Sequence, residues 1–110
     1  MAIKSILSFL GSVNINEEIR LWHESGKQAA LVDCRTPAEY ASGHIEGSVN
    51  IPLDHIERAE KQLPDKHAPI LVYCQAGPRA EQAAFRLKRM NYTDVRAIGG
   101  INVYRGKSVR

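Results

Sequence analysis

The sequence predicts an α/β domain with a parallel central sheet that is flanked by helices on both faces. The apolar runs Ala29–Cys34 and Ile70–Tyr73 are continuous rather than alternating, which is typical of strands buried on both faces of a sheet. Helical capping signals or helical spacing follow each run. Strands that alternate with helices in this way favour a parallel sheet covered by those helices.

The first helix is predicted to begin at Asn14, since Asn14 and Glu17 have the spacing of a capping box. Gly26 is a suitable C-terminal stop for this helix. The run Ala29–Cys34 then predicts the first buried strand, which ends in acidic and polar residues. The chain therefore enters the sheet directly after one amphipathic helix.

The middle of the chain predicts two further helices and a short strand. The stretch Thr36–Glu39 has Thr at the N-cap, Pro at the first helical position and Glu at the third, which indicates a short helix ending before Gly43. Val49–Pro52 predicts a brief strand that proline halts. Leu53–Leu63 predicts a weakly amphipathic helix that Pro64 terminates.

The last third of the chain repeats the strand–helix–strand order. Ile70–Tyr73 is the clearest strand, and Arg79–Met90 has helical spacing of its small and apolar residues. Asn91 is a suitable left-handed cap for that helix. Val95–Ile98 predicts the final strand, which Gly99-Gly100 ends. The carboxyl ends of these strands form the edge at which open α/β sheets bind ligands.

Length and composition indicate a single domain with an ordinary charge balance. The chain has 110 residues, 44% of them hydrophobic, and a formal net charge of +3. Its basic residues are not interleaved with aromatic residues, so nucleic-acid binding is not indicated. Two cysteines do not make a disulfide scaffold, and no apolar stretch is long enough to cross a bilayer. We expect a cytoplasmic protein without integral membrane association.

Residues 1–13 are predicted to form an N-terminal amphipathic segment that precedes a domain comprising residues 14–110. The apolar residues with helical spacing in this segment are Ile3, Ile6, Leu7 and Leu10. Serines interrupt the apolar stretch and no cleavage site of the A-x-A type follows it, so a secretory signal is not indicated. Packing on the domain is the favoured interpretation, and a role in docking to a membrane surface or a partner remains open.

Cys74 lies at the junction of a predicted strand and a predicted helix. Unpaired backbone N–H groups and the positive end of the helix dipole meet at such a junction, where they favour a thiolate and bind anions. A tight loop containing Gly77 and Pro78 is expected to point the amides of residues 75–79 inwards as a nest. Arg79 is expected to bind an anion, because an unpaired cation is unfavourable at a helix N-terminus. The sequence therefore predicts a nucleophilic cysteine that acts on a small anionic substrate.

Three motifs follow one another along the chain. Asp33–Tyr40 matches the pattern D-x-R-x-x-x-E-[YF], Gly43–Pro52 matches G-H-I-x-G-A-x-N-[IL]-P except for Ser48 at the alanine position, and Cys74–Ala80 matches C-x-x-G-x-R-[SA]. Each motif alone is weakly specific, but the three in this order resemble the rhodanese family of single-domain sulfurtransferases. The resemblance covers about residues 14–105 and implies the rhodanese-like α/β fold.

The resemblance also implies that Cys74 is the catalytic residue and cycles between a thiol and a persulfide. Sulfane sulfur would come from a small anionic donor such as thiosulfate and pass to cyanide, a thiol or a protein persulfide acceptor. The substrate-binding residues would be those of the loop, namely Gln75, Ala76, Gly77, Pro78 and Arg79. No metal or other cofactor is expected, because the scattered histidines lack the spacing of metal ligands.

Three further residues of the first two motifs, Asp33, Arg35 and His44, are interpreted as structural support for the site. Asp33 and Arg35 are expected to form a hydrogen-bonding pair that fixes the surrounding loops, and His44 is expected to be structural in a glycine-flanked turn. The family topology would place Cys34 on the strand beside that of Cys74. Packing in the core is the favoured role of Cys34, and resolution of the persulfide through a disulfide is the alternative.

Other functions remain open from the sequence. A cysteine phosphatase or arsenate reductase of the same fold uses a longer loop between Cys and Arg, whereas four residues, Gln75–Pro78, separate them here. A non-catalytic rhodanese-like binding or regulatory module typically loses the loop cysteine, which this chain keeps. A sulfur relay that accepts a persulfide from a partner enzyme needs the same loop as a thiosulfate enzyme, so the sequence does not separate these two functions.

Overall fold

A four-stranded parallel sheet forms the centre of the protein, whose structure is a computed structural model describing residues 13–110. The strands in chain order are β1 (Ala30–Asp33), β2 (His44–Ile45), β3 (Val49–Asn50), β4 (Ile70–Cys74), β5 (Val95–Gly100) and β6 (Ser108–Val109). The central sheet has the order β3-β1-β4-β5, and each neighbouring pair is parallel. β2 and β6 form a separate antiparallel pair. The N-terminal segment predicted for residues 1–13 lies outside the described residues apart from Val13.

Within residues 13–110, four α-helices and two 3-10 helices precede, connect or follow the strands. The α-helices are α1 (Ile15–Glu24), α2 (Pro37–Ser42), α3 (Ala59–Gln62) and α4 (Pro78–Arg89). The 3-10 helices span Leu53–Arg58 and Ile101–Val103. The described part of the chain contains no helix that is both long and apolar enough to span a membrane.

The two helix starts predicted from capping signals, at Asn14 and Thr36, are both present. The Asn14 side chain accepts hydrogen bonds from the backbone N–H groups of Asn16 and Glu17 at the start of α1. The Glu17 side chain contacts Arg20 instead of completing a capping box. A full capping box joins Thr36 and Glu39 at the start of α2. This capping box fixes the carboxylate of Glu39, which also accepts hydrogen bonds from Arg79.

Buried side chains fill both faces of the central sheet. One cluster contains the apolar side of α1 together with residues of β1 and β4, namely Ile15, Ile19, Trp22, Leu31 and Leu71. The cluster on the other face contains the small and apolar side of α4, namely Ala80, Ala83, Ala84 and Leu87. Successive strand residues alternate between these two clusters, as the pleat of a strand requires. The predicted α/β class, with helices on both faces of a parallel sheet, is confirmed.

The single helix predicted for Leu53–Leu63 is wrong. The segment forms a 3-10 helix followed by α3, and His55 has non-helical angles of φ −131° and ψ 37°. The buried residues Leu53, Ile56 and Ala59 are three positions apart, which suits the three-residue turn of a 3-10 helix better than an α-helix. The spacing of these buried residues therefore favours a 3-10 helix over Leu53–Arg58, and the α-helix that follows it is shorter than predicted.

The β2–β6 pair was not predicted. Each strand is two residues long, and such a short strand shows no periodicity in the sequence. His44 therefore lies in a strand and pairs with Val109, rather than in a turn. The pairing ties the C-terminal residues to the segment that follows α2.

Candidate active site

The carboxyl ends of the strands bring the three motifs to one edge of the sheet. Asp33 at the end of β1 pairs with Tyr73, and Cys74 at the end of β4 pairs with Gly100 of β5. The side-chain amide of Asn50 donates to the carbonyls of Asp33 and Arg35 at 2.9 Å each, which attaches the second motif to the first. Cys74 thus lies where open α/β sheets bind their ligands.

The loop after β4 curls around the sulfur of Cys74. The Gly77 N–H donates to Cys74 Sγ at an N···S distance of 2.9 Å, and the backbone N–H groups of Ala76 and Ala80 also hydrogen-bond to this sulfur. Gly77 has a φ of +123°, which residues with a side chain rarely adopt. One detail of the predicted nest is wrong, because Pro78 carries no N–H. The positive end of the α4 dipole, which begins at Pro78, adds to the field of the amides.

Cys74 is a thiolate at neutral pH. A hydrogen bond from the Cys34 thiol is the main cause, the loop amides contribute further, and together they outweigh burial and lower the pKa of Cys74 to about 5. The same hydrogen bond, together with burial, raises the pKa of Cys34 well above its ordinary value. The site therefore holds one ionised and one protonated cysteine. Both side chains are 1% exposed.

Arg79 is paired with Glu39, a contact that sequence reasoning missed. Arg79 Nη1 and Nη2 donate to Glu39 Oε1 and Oε2 at 2.8 and 3.0 Å, so the pair is bidentate. The same carboxylate accepts the backbone N–H of Thr36. These contacts, the Arg79 hydrogen bond first, lower the pKa of Glu39 to about 2. The predicted anion-binding arginine thus has a fixed counterion within the protein.

Asp33 and Arg35 form a buried ion pair beneath the loop. Arg35 is 4% exposed, and its Nη2 donates to Asp33 Oδ2 at 2.8 Å. Arg35 Nη1 also donates to Gln75 Oε1 at 3.2 Å, and Nη2 donates to the carbonyl of Gly43 at 2.7 Å. The pair thereby connects the end of β1 to the first residue of the Cys74 loop and to the segment that precedes β2.

Gly100 allows the Cys74 loop to pass close to β5. A Cβ atom at this position would lie 2.4 Å from the Gln75 carbonyl oxygen and 2.6 Å from Ala76 Cα, well inside van der Waals contact. The Asn102 N–H donates to the same Gln75 oxygen at 3.0 Å. The sequence signal for this role is the second glycine of a pair after a strand, a pattern that by itself indicates only a strand end.

The contacts that position the His44 ring are with Tyr40 and not with the Cys74 loop. Its Nδ1 lies 2.8 Å from the Tyr40 carbonyl oxygen, and its ring stacks on the Tyr40 ring at a centroid distance of 3.6 Å. These contacts hold α2 against β2. Within residues 13–110 there is no group of three or more His, Cys, Asp or Glu side chains that could hold a metal ion.

We expect the thiolate absorbance of the protein to titrate with a midpoint near pH 5, because the pKa of Cys74 is lowered to about 5. The sign follows from the charge, since the thiolate persists above its lowered pKa and is lost as the pH falls through that value. In Cys34→Ala the main stabilising hydrogen bond is absent, so the midpoint moves towards alkaline pH. Ultraviolet absorbance measures both titrations, and Cys74→Ser is the control that removes the signal. An unchanged midpoint in Cys34→Ala would contradict the assigned cause.

Glu39→Gln is expected to lower the rate of Cys74 modification by a small anionic reagent about tenfold, since charge-assisted hydrogen bonds that fix Arg79 are lost. Glutamine keeps the size of the side chain and an oxygen that accepts from Thr36. The measurement compares an anionic with a neutral alkylating reagent, and only the anionic one is expected to slow. Glu17→Gln, which changes an exposed helical ion pair with Arg20, is the matched control. Equal slowing with both reagents would show that Glu39 supports the loop without positioning Arg79.

Comparison with known proteins identifies the family. A family model described as a Rhodanese-like domain matches residues 11–107. The thiosulfate sulfurtransferase PspE of Escherichia coli (strain K12) is 41% identical over 71 residues, which cover 64% of this chain and 68% of PspE. The probable adenylyltransferase/sulfurtransferase MoeZ of Mycobacterium tuberculosis is 36% identical over 94 residues, which cover 83% of this chain but 24% of MoeZ.

A solved structure has the same architecture. The structure of a rhodanese with anions from E. coli superposes with a TM-score of 0.70 at 36% sequence identity, covering 74% of this chain and 98% of that protein. The names of the relatives support sulfurtransferase activity in general terms. The family match spans all three motifs and the whole central sheet. The chain belongs to the rhodanese-like family.

Proposed function

We propose that the chain is a thiosulfate sulfurtransferase that carries sulfane sulfur as a persulfide on Cys74. The observation that carries this proposal is the Cys74 sulfur, ionised at neutral pH and surrounded by the backbone N–H groups of Ala76, Gly77 and Ala80. This arrangement combines a nucleophile with donors for a leaving anion. The similarity to PspE, a thiosulfate sulfurtransferase, supports the same reaction.

In the first half-reaction the Cys74 thiolate attacks the outer sulfur of thiosulfate. A bond forms between Cys74 Sγ and that sulfur, the S–S bond of thiosulfate breaks, and sulfite leaves with the electron pair. The amide donors and the N-terminus of α4 stabilise the negative charge as it moves from Cys74 to the outer sulfur and to the departing sulfite. No redox partner is consumed in this step.

In the second half-reaction a nucleophilic acceptor removes the outer sulfur. Cyanide or a thiolate attacks this sulfur, the bond to Cys74 Sγ breaks, and Cys74 returns to its thiolate. The hydrogen bonds that lower the pKa of Cys74 also make it a good leaving group here. The same hydrogen-bond donors thus assist both the transfer of sulfur to Cys74 and its transfer to the acceptor.

The remaining predicted site residues have positioning roles in this proposal. Arg79, held by Glu39, supplies positive charge beside the loop, and the backbone of Gln75 is anchored from β5. The Asp33–Arg35 pair supports Gln75 from beneath, whereas His44 stabilises the neighbouring segment.

The proposed domain comprises residues 14–110, with residues 1–13 as a separate amphipathic segment. A reducing cytoplasm is the proposed setting for the protein, because its two cysteines are unpaired.

A sulfur relay is the second candidate. The chain matches a segment of MoeZ, whose name combines adenylyltransferase and sulfurtransferase activities, so a segment similar to this chain also occurs within a larger protein. In a relay the donor of sulfur would be a protein persulfide instead of thiosulfate. The chemistry at Cys74 would be unchanged, because both donors present an electrophilic sulfane sulfur.

A direct comparison of two substrates tests the proposal. We expect purified protein to form thiocyanate from thiosulfate and cyanide and to leave an aryl phosphate intact, because the four-residue span between Cys74 and Arg79 makes a narrow cradle. Fast hydrolysis of the aryl phosphate without thiocyanate formation would instead assign a cysteine phosphatase. Sulfur uptake from a protein persulfide but not from thiosulfate would assign the relay.

A further inference from the structure

Cys34 and Cys74 lie side by side at the ends of neighbouring strands. β1 and β4 pair in parallel up to Asp33 and Tyr73, and the Cys34 N–H donates to the Tyr73 carbonyl at 3.0 Å, so the pairing continues one residue further. Neighbouring strands are about 4.8 Å apart. A disulfide needs Cα atoms roughly 4.4–6.8 Å apart. The spacing of the two strands therefore suits a disulfide without a shift of either strand.

The two side chains also point to the same face of the sheet. Cys34 and Cys74 belong to one buried cluster together with Val32 and Val72, which precede them by two positions on each strand. Tyr73 belongs to the cluster on the opposite face. Neither cysteine takes part in a disulfide, and the two lie close enough for each to shift the pKa of the other. Strand register and side-chain direction thus place the two sulfurs in contact.

A small cavity reaches Cys34 from the edge of the sheet. Its volume is about 50 Å³, and it is lined by Cys34, Thr36, Pro52, Leu53, Asp54 and Arg79. Arg79 is also the residue that closes the Cys74 loop. The cavity therefore offers space beside Cys34 and Arg79 for a group of one or two atoms, such as a hydrosulfide ion.

We propose that Cys34 is the resolving residue of the Cys74 persulfide, which rests on the function proposed above. Cys34 Sγ attacks Cys74 Sγ, and a bond forms between these two atoms while the bond from Cys74 Sγ to the outer sulfur breaks. The electron pair leaves with the outer sulfur, which takes the proton of the Cys34 thiol and departs as hydrosulfide. The two cysteines are oxidised to a disulfide, and the sulfane sulfur is reduced to sulfide.

This step limits the lifetime of the carried sulfur. The persulfide passes its outer sulfur to an external acceptor when one is bound, and otherwise releases it as hydrosulfide. The resulting disulfide returns to two thiols by exchange with two equivalents of an external thiol. The protein is then inactive towards thiosulfate until a thiol reductant resets it.

The experiment follows the persulfide after loading. Wild type, Cys34→Ser and Cys34→Ala are incubated with thiosulfate until each has gained one sulfur atom by intact mass, and excess thiosulfate is then removed without adding thiol. We expect wild type to lose the sulfur at least about tenfold faster than either variant, because its resolving thiol is already in place. Its mass should fall to two hydrogens below the unloaded protein as hydrosulfide appears, and peptide mapping should link Cys34 to Cys74.

The outcomes separate this inference from the proposed function. Persulfides that last equally long in wild type and both variants would overturn the resolving role of Cys34 and leave sulfur transfer through Cys74 intact. A decay that slows on dilution, or that yields covalent dimers, would also overturn it, since the step is intramolecular. A wild-type protein that never gains sulfur from thiosulfate or a protein persulfide would overturn the proposed function and this inference with it.

Discussion

Cys74→Ser is expected to reduce sulfur transfer from thiosulfate to cyanide on the order of a thousandfold or more, because it removes the atom that carries the sulfur. Serine fits the same space and can accept the loop hydrogen bonds, but its hydroxyl stays protonated at neutral pH and does not form a persulfide. Thiocyanate formation measures the effect. Urea unfolding of the variant shows that the loss is not a loss of fold.

Cys34→Ser is the matched control for this change. It makes the same substitution one strand away, and we expect it to keep persulfide formation on Cys74, because the serine hydroxyl can still donate a hydrogen bond to that sulfur. A Cys74→Ser protein that retains more than about a tenth of the wild-type transfer rate would contradict a persulfide on Cys74. If that variant also performed the native role of the protein unimpaired, a regulatory binding module would be the better assignment.

Asp33→Ala is expected to lower the free energy of unfolding by about 3–5 kcal/mol, since it leaves the Arg35 guanidinium buried without its counterion. Much of the stability of a small domain would be lost, because such domains are stable by about 5–15 kcal/mol. Urea unfolding followed by circular dichroism measures the difference. Where the alanine variant does not fold, Asp33→Asn keeps the hydrogen-bond acceptor and is expected to fall between it and wild type.

The exposed ion pair of Glu17 with Arg20 provides the comparison for this prediction. Both of these side chains are solvent-accessible, so Glu17→Ala is expected to cost no more than about 1 kcal/mol. A loss at Asp33→Ala as small as the loss at Glu17→Ala would show that the buried pair does not hold the end of β1 to the Cys74 loop.

The positions of Cys34 and Cys74 show what the sequence was able to predict. The continuous apolar runs before them predict parallel strands, and their placement at strand ends predicts the binding edge. The nucleophilic character of Cys74 also follows from its place between a strand and a helix. The contact between the two sulfurs depends on strand register, which no pattern within either segment encodes.

Glu39 and Gly100 show where prediction from the sequence stopped. The sequence predicts Glu39 as a capping residue, which it is, but its bidentate pairing with Arg79 joins residues forty positions apart. The sequence predicts Gly100 only as a strand end, whereas in the structure the missing Cβ makes room for the Gln75 carbonyl. The 3-10 turn at Leu53 likewise follows from the packing of every third residue on the sheet. All three features are set by tertiary packing.

Intact-mass analysis immediately after incubation with thiosulfate is the most direct test of sulfur transfer through Cys74. We predict that wild type gains the mass of one sulfur atom, that Cys34→Ser gains it and keeps it, and that Cys74→Ala gains none. Treatment with cyanide should remove the added sulfur and yield one equivalent of thiocyanate. Wild type that shows neither the added sulfur nor the loss of two hydrogens left by a Cys34–Cys74 disulfide, or a Cys74→Ala protein that gains sulfur equally, would contradict a persulfide on Cys74.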